Sequence, residues 1–522
     1  MNSEKKEGTV NVEGGTVKYV NSGIIVFSAL YFFIIPGIMT IHDLCDPGIR
    51  QNKIPDFAYS IHRDLSPKYA EWAQKRLETE CARDLSTADI SGTEWPLFGS
   101  VFFLWATESL QQAWEENHSL SRIPPREYAS DAIDAAVEII TDPVHASWVK
   151  VHWGDNYLNR ENVFYRMLLM AGITAHYNLT GKTTHLPLLR KLVKRFKEEL
   201  ENSPYGLMDD YPHECYPGDV LTAVACVRRT AAVLNMNNTS FVTRALRGFT
   251  GKLLDSRHLP PYAADSKNGV PEGPSRGCSN SYVCLFSPEL WPAQASEWYD
   301  LYKRYFWQEG LLIKGFREFP KDLSGNEWYM DVDSGPVIGG YGIAASAFGV
   351  GAARSNGRFD HAYPLTAEMI AFNWRLPHGT LLLPRLLSNS TDAPYLGEAA
   401  ILFNVTRRAI ASNSIREGGS IPGIVYIVVI LFFCTGFLLA FISIWSALKF
   451  RKSYNSGELH IPHAKIQFFI WTLVIPAGLL IAVFFNGVIG LTLMLVGQFL
   501  PRTAVYKSND ETLNKTTQTI IT

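Results

Sequence analysis

The 522-residue chain carries no excess of either charge: 48 Lys and Arg stand against 50 Asp and Glu, for a formal net charge of -2. That balance removes the electrostatic case for a nucleic-acid partner. No GxGxxG, Walker loop or GxSxG occurs, so neither a nucleotide cradle nor a serine nucleophile elbow is expected. HExxH and paired CxxC are missing as well, and His213, Glu214 and Cys215 are adjacent, a poor spacing for zinc. The expectation is therefore no metal and no cofactor. Cysteine is scarce, with seven in the chain. Cys45 with Cys81, or Cys278 with Cys284, would be bridged only in an oxidising compartment, and all seven reduced is the alternative.

Apolar residues are not scarce, and they are partitioned. Gly23 to Ile41 is 19 residues without a charge, Gly423 to Leu448 is 26, and Ile466 to Leu500 is 35. A helix needs about 20 residues to cross a bilayer, so each run is long enough. The first run, 23–41, follows a polar tail over 1–22 and lacks a small-residue cleavage site, which predicts an uncleaved anchor. Lys449, Arg451, Lys452 and Lys465 crowd the link 449–465, which the positive-inside rule places in the cytoplasm. The middle region, 43–418, then lies outside. The third run, 466–500, is read as one kinked span leading to a tail over 501–522, with two short passes as the alternative. Its glycines suit packing against partner helices or a second copy of the chain.

Within the middle region, Pro, Gly and Asn punctuate about twelve helical stretches: 68–83, 94–116, 126–140, 161–178, 184–201, 217–234, 239–254, 280–290, 293–308, 337–354, 360–375 and 394–410. Twelve helices suggest six hairpins. The stretches 161–178 and 337–354 are apolar or small on nearly every face and are expected to be inner helices. An inner ring sheathed by amphipathic outer helices is an (α/α)6 barrel, so the fold expected is all-α, with membrane helices at both ends of the chain. A helical solenoid is the competing architecture, although no fixed-period repeat is visible.

The densest chemistry falls ahead of one such helix. Residues 209–219 read DDYPHECYPGD, with four carboxylates, a histidine, a cysteine and two tyrosines. A packed core gains nothing from so many titratable groups, and the run is expected to floor a pocket. Asp209, Asp210 and Glu214 are the acid/base candidates, because dehydration and glycoside cleavage both need a carboxylic acid that protonates a leaving oxygen. Either aspartate can instead cap a turn, or pair with Arg166 or Arg317. Asp219 is assigned to the helix N-terminus. Cys215 beside His213 is a candidate nucleophile or acid with a lowered pKa, against the commoner buried structural thiol.

Other polar loops add candidates for a substrate wall. Asp331 and Asp333 alternate, so they face one way if extended, and an Asx turn into Gly335-Pro336 is the alternative. Trp153, Tyr157, Tyr165 and Tyr211 can stack on a sugar or shield a carbocation. Arg276 with Asn280 can hold an anionic group or make structural pairs.

Four segments occur in a specific order: GDNYLNRENVFYRMLL at 154–169, YNLTG at 177–181, DDYPHEC at 209–215 and GGYGIAASAF at 339–348. Together they resemble the linalool dehydratase/isomerase family over most of residues 90–410. The resemblance implies an extracytoplasmic (α/α)6 fold acting on a small terpene alcohol, and it places Cys215 at a cysteine of the family's active site. The family's second cysteine falls at Gly206 and its pocket histidine near Leu168, so the family's full catalytic set is not present. The expected function is acid/base dehydration or isomerisation of an isoprenoid-like alcohol. A glycan-active hydrolase or lyase on the same fold, and a non-catalytic envelope scaffold or binding domain, are the alternatives.

Overall fold

A computed structural model describes residues 21–388, 392–410 and 413–455, together with Tyr19 and short pieces beyond residue 458. Most of the tails 1–22 and 501–522, and parts of the link 449–465 and of the third apolar run 466–500, lie outside the described residues. The chain divides into two compact units. One comprises 1–41, 374–377 and 427–522; the other comprises 42–373 and 378–426.

Two helices are long and apolar enough to cross a membrane, Asn21–Leu44 and Gly423–Lys449. In the first unit Trp374 packs its ring against Phe33 and Phe432, and its Nε1 donates to the Phe32 carbonyl at 2.6 Å. Of the third run, the helix Ile475–Phe484 is described.

The second unit is mainly helical. In chain order its principal helices are α1 (Asp56–Thr79), α2 (Ile90–Glu116), α3 (Ser130–Thr141), α4 (Val163–Thr180), α5 (Leu186–Asn202) and α6 (Pro217–Leu234). They continue with α7 (Thr239–Ala245), α8 (Gly277–Leu290), α9 (Pro292–Phe306), α10 (Ile343–Ser355), α11 (Phe359–Asn373) and α12 (Leu396–Val405). The even-numbered helices pack in sequence, α2 on α4, α4 on α6, α6 on α8, α8 on α10 and α10 on α12, and α12 returns to α2. Six helices thus form a closed ring. The odd-numbered helices lie against their ring neighbours from outside, as α3 does against α2 and α4, and α9 against α8.

Local sequence explains the two roles. α5 buries Leu189, Leu192, Val193, Phe196 and Leu200, a stripe at helical spacing, and exposes lysines on the other side. Ring helices such as α4 and α6 are buried nearly all round. Pro217 opens α6, where its missing N–H costs nothing, and Asn235 closes it in the left-handed conformation.

A ring of six helices encloses a lumen, and aromatic side chains fill it. Phe102, Trp105, Phe286 and Phe403 stack or tilt against one another, with Phe98, Tyr282 and Phe348 next along. Below them the half-buried Arg229 pairs with Glu289 at 2.8 Å and lies over the rings of Trp105 and Phe286. Where α10 ends, the fully buried Arg354 donates to the carbonyls of Gly48, Lys53 and Arg407, tying the beginning of the unit to its end.

Three features differ from expectation. The stretch 337–354 is helical only from Ile343, because residues 307–342 form two small antiparallel sheets: β1 (Trp307–Glu309) with β2 (Lys314–Phe316), and β3 (Trp328–Asp331), β4 (Gly335–Ile338) and β5 (Tyr341–Gly342). Gly335, Gly339 and Gly340 take positive φ in and after these turns, which breaks the helix pattern where the composition still looks helical. Short helices at Ser147–Trp153 and Leu382–Ser388 also went unread. All seven cysteines are free thiols, so neither suggested bridge is present.

Because Phe403 is fully buried among Phe102, Trp105 and Phe286, Phe403→Ala is expected to lower unfolding stability by about 3–5 kcal/mol. Chemical denaturation in detergent measures this. A loss below about 1 kcal/mol would show that the lumen is not held by this packing.

Candidate active site

Above the aromatic fill, at the end of the ring where the even-numbered helices begin, lies a cavity of about 560 Å³. Its size falls within the usual range for small-molecule sites. α2 contributes Glu94, Trp95 and Phe98; the 209–219 run contributes Asp210, Tyr211, Glu214, Tyr216 and Asp219; α8 contributes Cys278 and Tyr282; and the β3–β4 turn contributes Val332 and Asp333. No Lys or Arg is among the lining residues.

Three of the five carboxyl groups each accept a hydrogen bond from a tyrosine hydroxyl. Tyr211 donates to Glu94, Tyr262 to Asp333, and Tyr216 to Glu214 at 3.0 Å. Burial, reinforced by the adjacent carboxylates, raises the pKa of all three phenols, which keeps them neutral donors. Asp210 differs. Its Oδ2 accepts from the Tyr216 amide at 2.9 Å, and the backbone of Phe164 also favours its ionised form. The hydroxyl of Tyr282 is buried and unpaired. Packing seals that oxygen and Asp210 Oδ1 from the cavity, so the two residues line it through their other atoms.

Protonation separates these acids further. Burial, followed by the charges of Asp333 and Glu94, pushes the Asp219 carboxyl up to about 8. Asp219 is half-buried and faces the cavity. Its place in the first turn of α6 favours the carboxylate, and desolvation overrides that preference. Burial, then Asp219, holds Asp210 well above the usual carboxylate range. Burial raises Glu94 to about 7, against the opposing hydrogen bond from Tyr211. Three carboxyl groups held above the usual carboxylate range therefore share the site.

The predicted residues divide around this cavity. Asp210, Tyr211, Glu214 and Asp333 line it. Asp209 instead builds the turn: its Oδ2 accepts from the His213 amide at 3.1 Å and its own amide donates to Glu161 at 2.8 Å. His213 is exposed, with a φ of 72°, at the left-handed position of that turn. Trp153 lies behind the loop, donating to the Asp210 carbonyl at 3.1 Å, and Tyr157 and Tyr165 pack together beside it. Arg166, offered as a partner for the aspartates, pairs with Glu199 instead.

The expected low-pKa thiol is corrected. Cys215 is buried behind the cavity, and burial together with Asp210 and Asp209 raises its pKa well above that of a free thiol. It is a protonated structural cysteine. Arg276 and Asn280 are corrected as ligands too. Arg276 pairs with Glu318 at 2.7 Å and Asp331 at 2.8 Å while stacking on Tyr262, and Asn280 donates to the carbonyls of Pro260 and Arg276. Asp331 and Asp333 do not form one wall, because Asp331 accepts from the amides of Asp333 and Ser334 in an Asx turn.

Sequence reasoning passed over Glu94 and assigned Asp219 to the helix end alone. Both are acidic residues in the opening turns of helices whose other positions are apolar, and that contrast was the available signal. Among the described residues no group of three or more His, Cys, Asp or Glu is arranged to hold a metal ion. No family model matches the chain, and no curated protein matches its sequence.

Asp219 and Glu94 have pKa values raised above their unfolded values, so the folded state holds protons that the unfolded chain has released. Their stabilisation is fully present below about pH 4 and is lost as pH rises through about 7 to 8. Asp219→Asn is expected to flatten the fall in stability over that window by up to about 1.4 kcal/mol per pH unit and to leave the protein more stable than wild type at pH 8. Denaturation midpoints between pH 5 and 8.5 measure this, and parallel profiles for the two proteins would refute a neutral Asp219.

Proposed function

We propose that the chain is a membrane-anchored enzyme whose helical unit is an (α/α)6 barrel outside the membrane, catalysing acid/base dehydration or isomerisation of a neutral, hydroxyl-bearing, isoprenoid-like substrate. The observation that carries this reading is the carboxyl group of Asp219, raised to about 8 by burial and the charges of Asp333 and Glu94, facing an aromatic cavity whose lining holds no Lys or Arg. Such a cavity repels phosphate and carboxylate groups, which argues against prenyl diphosphates as substrates. The two uncharged runs and the Lys/Arg-rich link after 448 support the anchoring and the sidedness. The ordered likeness to linalool dehydratase/isomerase supports the substrate class, while Gly206, Leu168 and the buried Cys215 call for a different set of catalytic groups.

In this mechanism Asp219 gives its proton to the substrate hydroxyl as the C–O bond breaks, and water leaves. The carbocation formed lies among Phe98, Tyr282 and Phe348, whose ring faces favour positive charge. Glu94, ionised in part at neutral pH, takes a proton from the adjacent carbon, and that C–H electron pair becomes the new double bond. Transfer of this proton from Glu94 back to Asp219 restores the starting state. Tyr211 orients Glu94.

A glycan-active reading has one observation in its favour, the three tyrosine–carboxyl pairs, which could equally accept and donate to sugar hydroxyls. Turnover assays on terpene alcohols, polyprenols and oligosaccharides separate the two. Release of water or migration of a double bond in an alcohol is the expected result, with Asp219→Asn and Glu94→Gln each lowering kcat by about 10²–10⁴-fold while the protein stays folded. Cleavage of oligosaccharides with all alcohols untouched would favour the glycan reading, and full activity in both variants would overturn the assigned roles.

A further inference from the structure

The two ends of the helix ring present different surfaces. At the cavity end, the connections and helix termini expose Val151, Val270, Leu311, Trp328, Met330 and Ile338. Leu311 is 94% exposed, Trp328 76% and Met330 74%. Within β3, Trp328 and Met330 share one face of the strand, and their cross-strand partners are Ile338 and Pro336, so one whole face of the hairpin is apolar and open. At the opposite end the exposed large hydrophobics include Ile123 and Ile415, each 43% exposed, the latter against the Gly357 connection.

Apolar residues gathered at one end and sparse at the other mark an interaction surface rather than scattered exposure. The chain indicates what covers it. Leu312, next to Leu311 in the β1–β2 turn, accepts a hydrogen bond at 2.9 Å from the amide of Ile424, in the first turn of the helix that is long and apolar enough to cross a membrane. Trp and Tyr beside large aliphatic side chains are the composition of the bilayer interface.

We infer that the cavity end of the ring docks on the phospholipid bilayer, with the Trp328–Ile338 hairpin and the Leu311 turn entering the interfacial layer. The cavity mouth then opens at the lipid surface, because Val332 and Asp333 at the tip of that hairpin also line the cavity. A substrate dissolved in the bilayer would reach Asp219 without crossing water. The docking follows from the surface alone and holds whatever chemistry the cavity performs.

Nitroxide labels read this directly in the full chain. With the exposed Cys45, Cys81 and Cys434 replaced by Ser, single labels are placed through Met330→Cys, Leu311→Cys or, as the opposite-end control, Ile123→Cys. The protein is reconstituted in phosphatidylcholine vesicles and relaxation is compared in oxygen and in a water-soluble nickel chelate. Labels at positions 330 and 311 should be relaxed several-fold more by oxygen than by nickel, with the order reversed at 123. Equal nickel access at all three positions would overturn the inference. So would broadening at 330 that grows with protein density, since a second copy of the chain would then be the cover.

Discussion

Closing six helices into a ring creates a lumen, and every other feature of the helical unit follows from how that lumen is filled. Phe102, Trp105, Phe286 and Phe403 fill its depth, with the Arg229–Glu289 pair beneath them. Large rings meet this demand with few rotatable bonds and much buried area. The filling stops at Phe98, Tyr282 and Phe348, and the space left above them is the cavity. Its floor is therefore rigid. Its rim is made of connections, which tolerate polar and strained residues that the ring helices could not.

That division sets the electrostatics. Carboxyl groups crowd the rim with no Lys or Arg in the lining to neutralise them, so their mutual repulsion and desolvation are relieved by protonation and by neutral phenol donors. The cation nearest by role, Arg276, is already committed to Glu318 and Asp331 and stacks on Tyr262, which helps hold the tyrosine that donates to Asp333. The outcome is a site that stores protons near neutrality and disfavours anionic ligands. An uncharged substrate and a proton-transfer reaction are the chemistry that such a site suits.

Helix content and order were legible because burial imposes periodicity. α6 occupies the predicted 217–234, and the amphipathic stripe of α5 falls within a residue or two of its expected range. The reading failed where backbone conformation departed from composition. In 337–354 the apolar and small residues look helical, yet Gly339 and Gly340 turn the chain between β4 and β5 and delay the helix to Ile343. At the site, the run 209–219 was recognisable as a pocket element by its density of titratable groups. Which members face the cavity was not, since Asp209 and Asp210 are neighbours with the same side chain and opposite fates. One forms a turn with His213, and the other lines the cavity.

The amino-acid sequence by itself determined that this chain has apolar runs suited to a bilayer, a helical middle region and a carboxylate-rich loop ahead of one helix, because hydrophobic periodicity and charge density are properties of neighbouring residues. Only the tertiary structure brought Glu94, 125 residues before Asp219, and Asp333, 114 residues after it, to the same cavity. Their convergence raises the Asp219 carboxyl against the helix end that would otherwise lower it, and it leaves Cys215 buried as an inert thiol. A pKa depends on distances in space and on excluded water, and neither is written in the order of the residues.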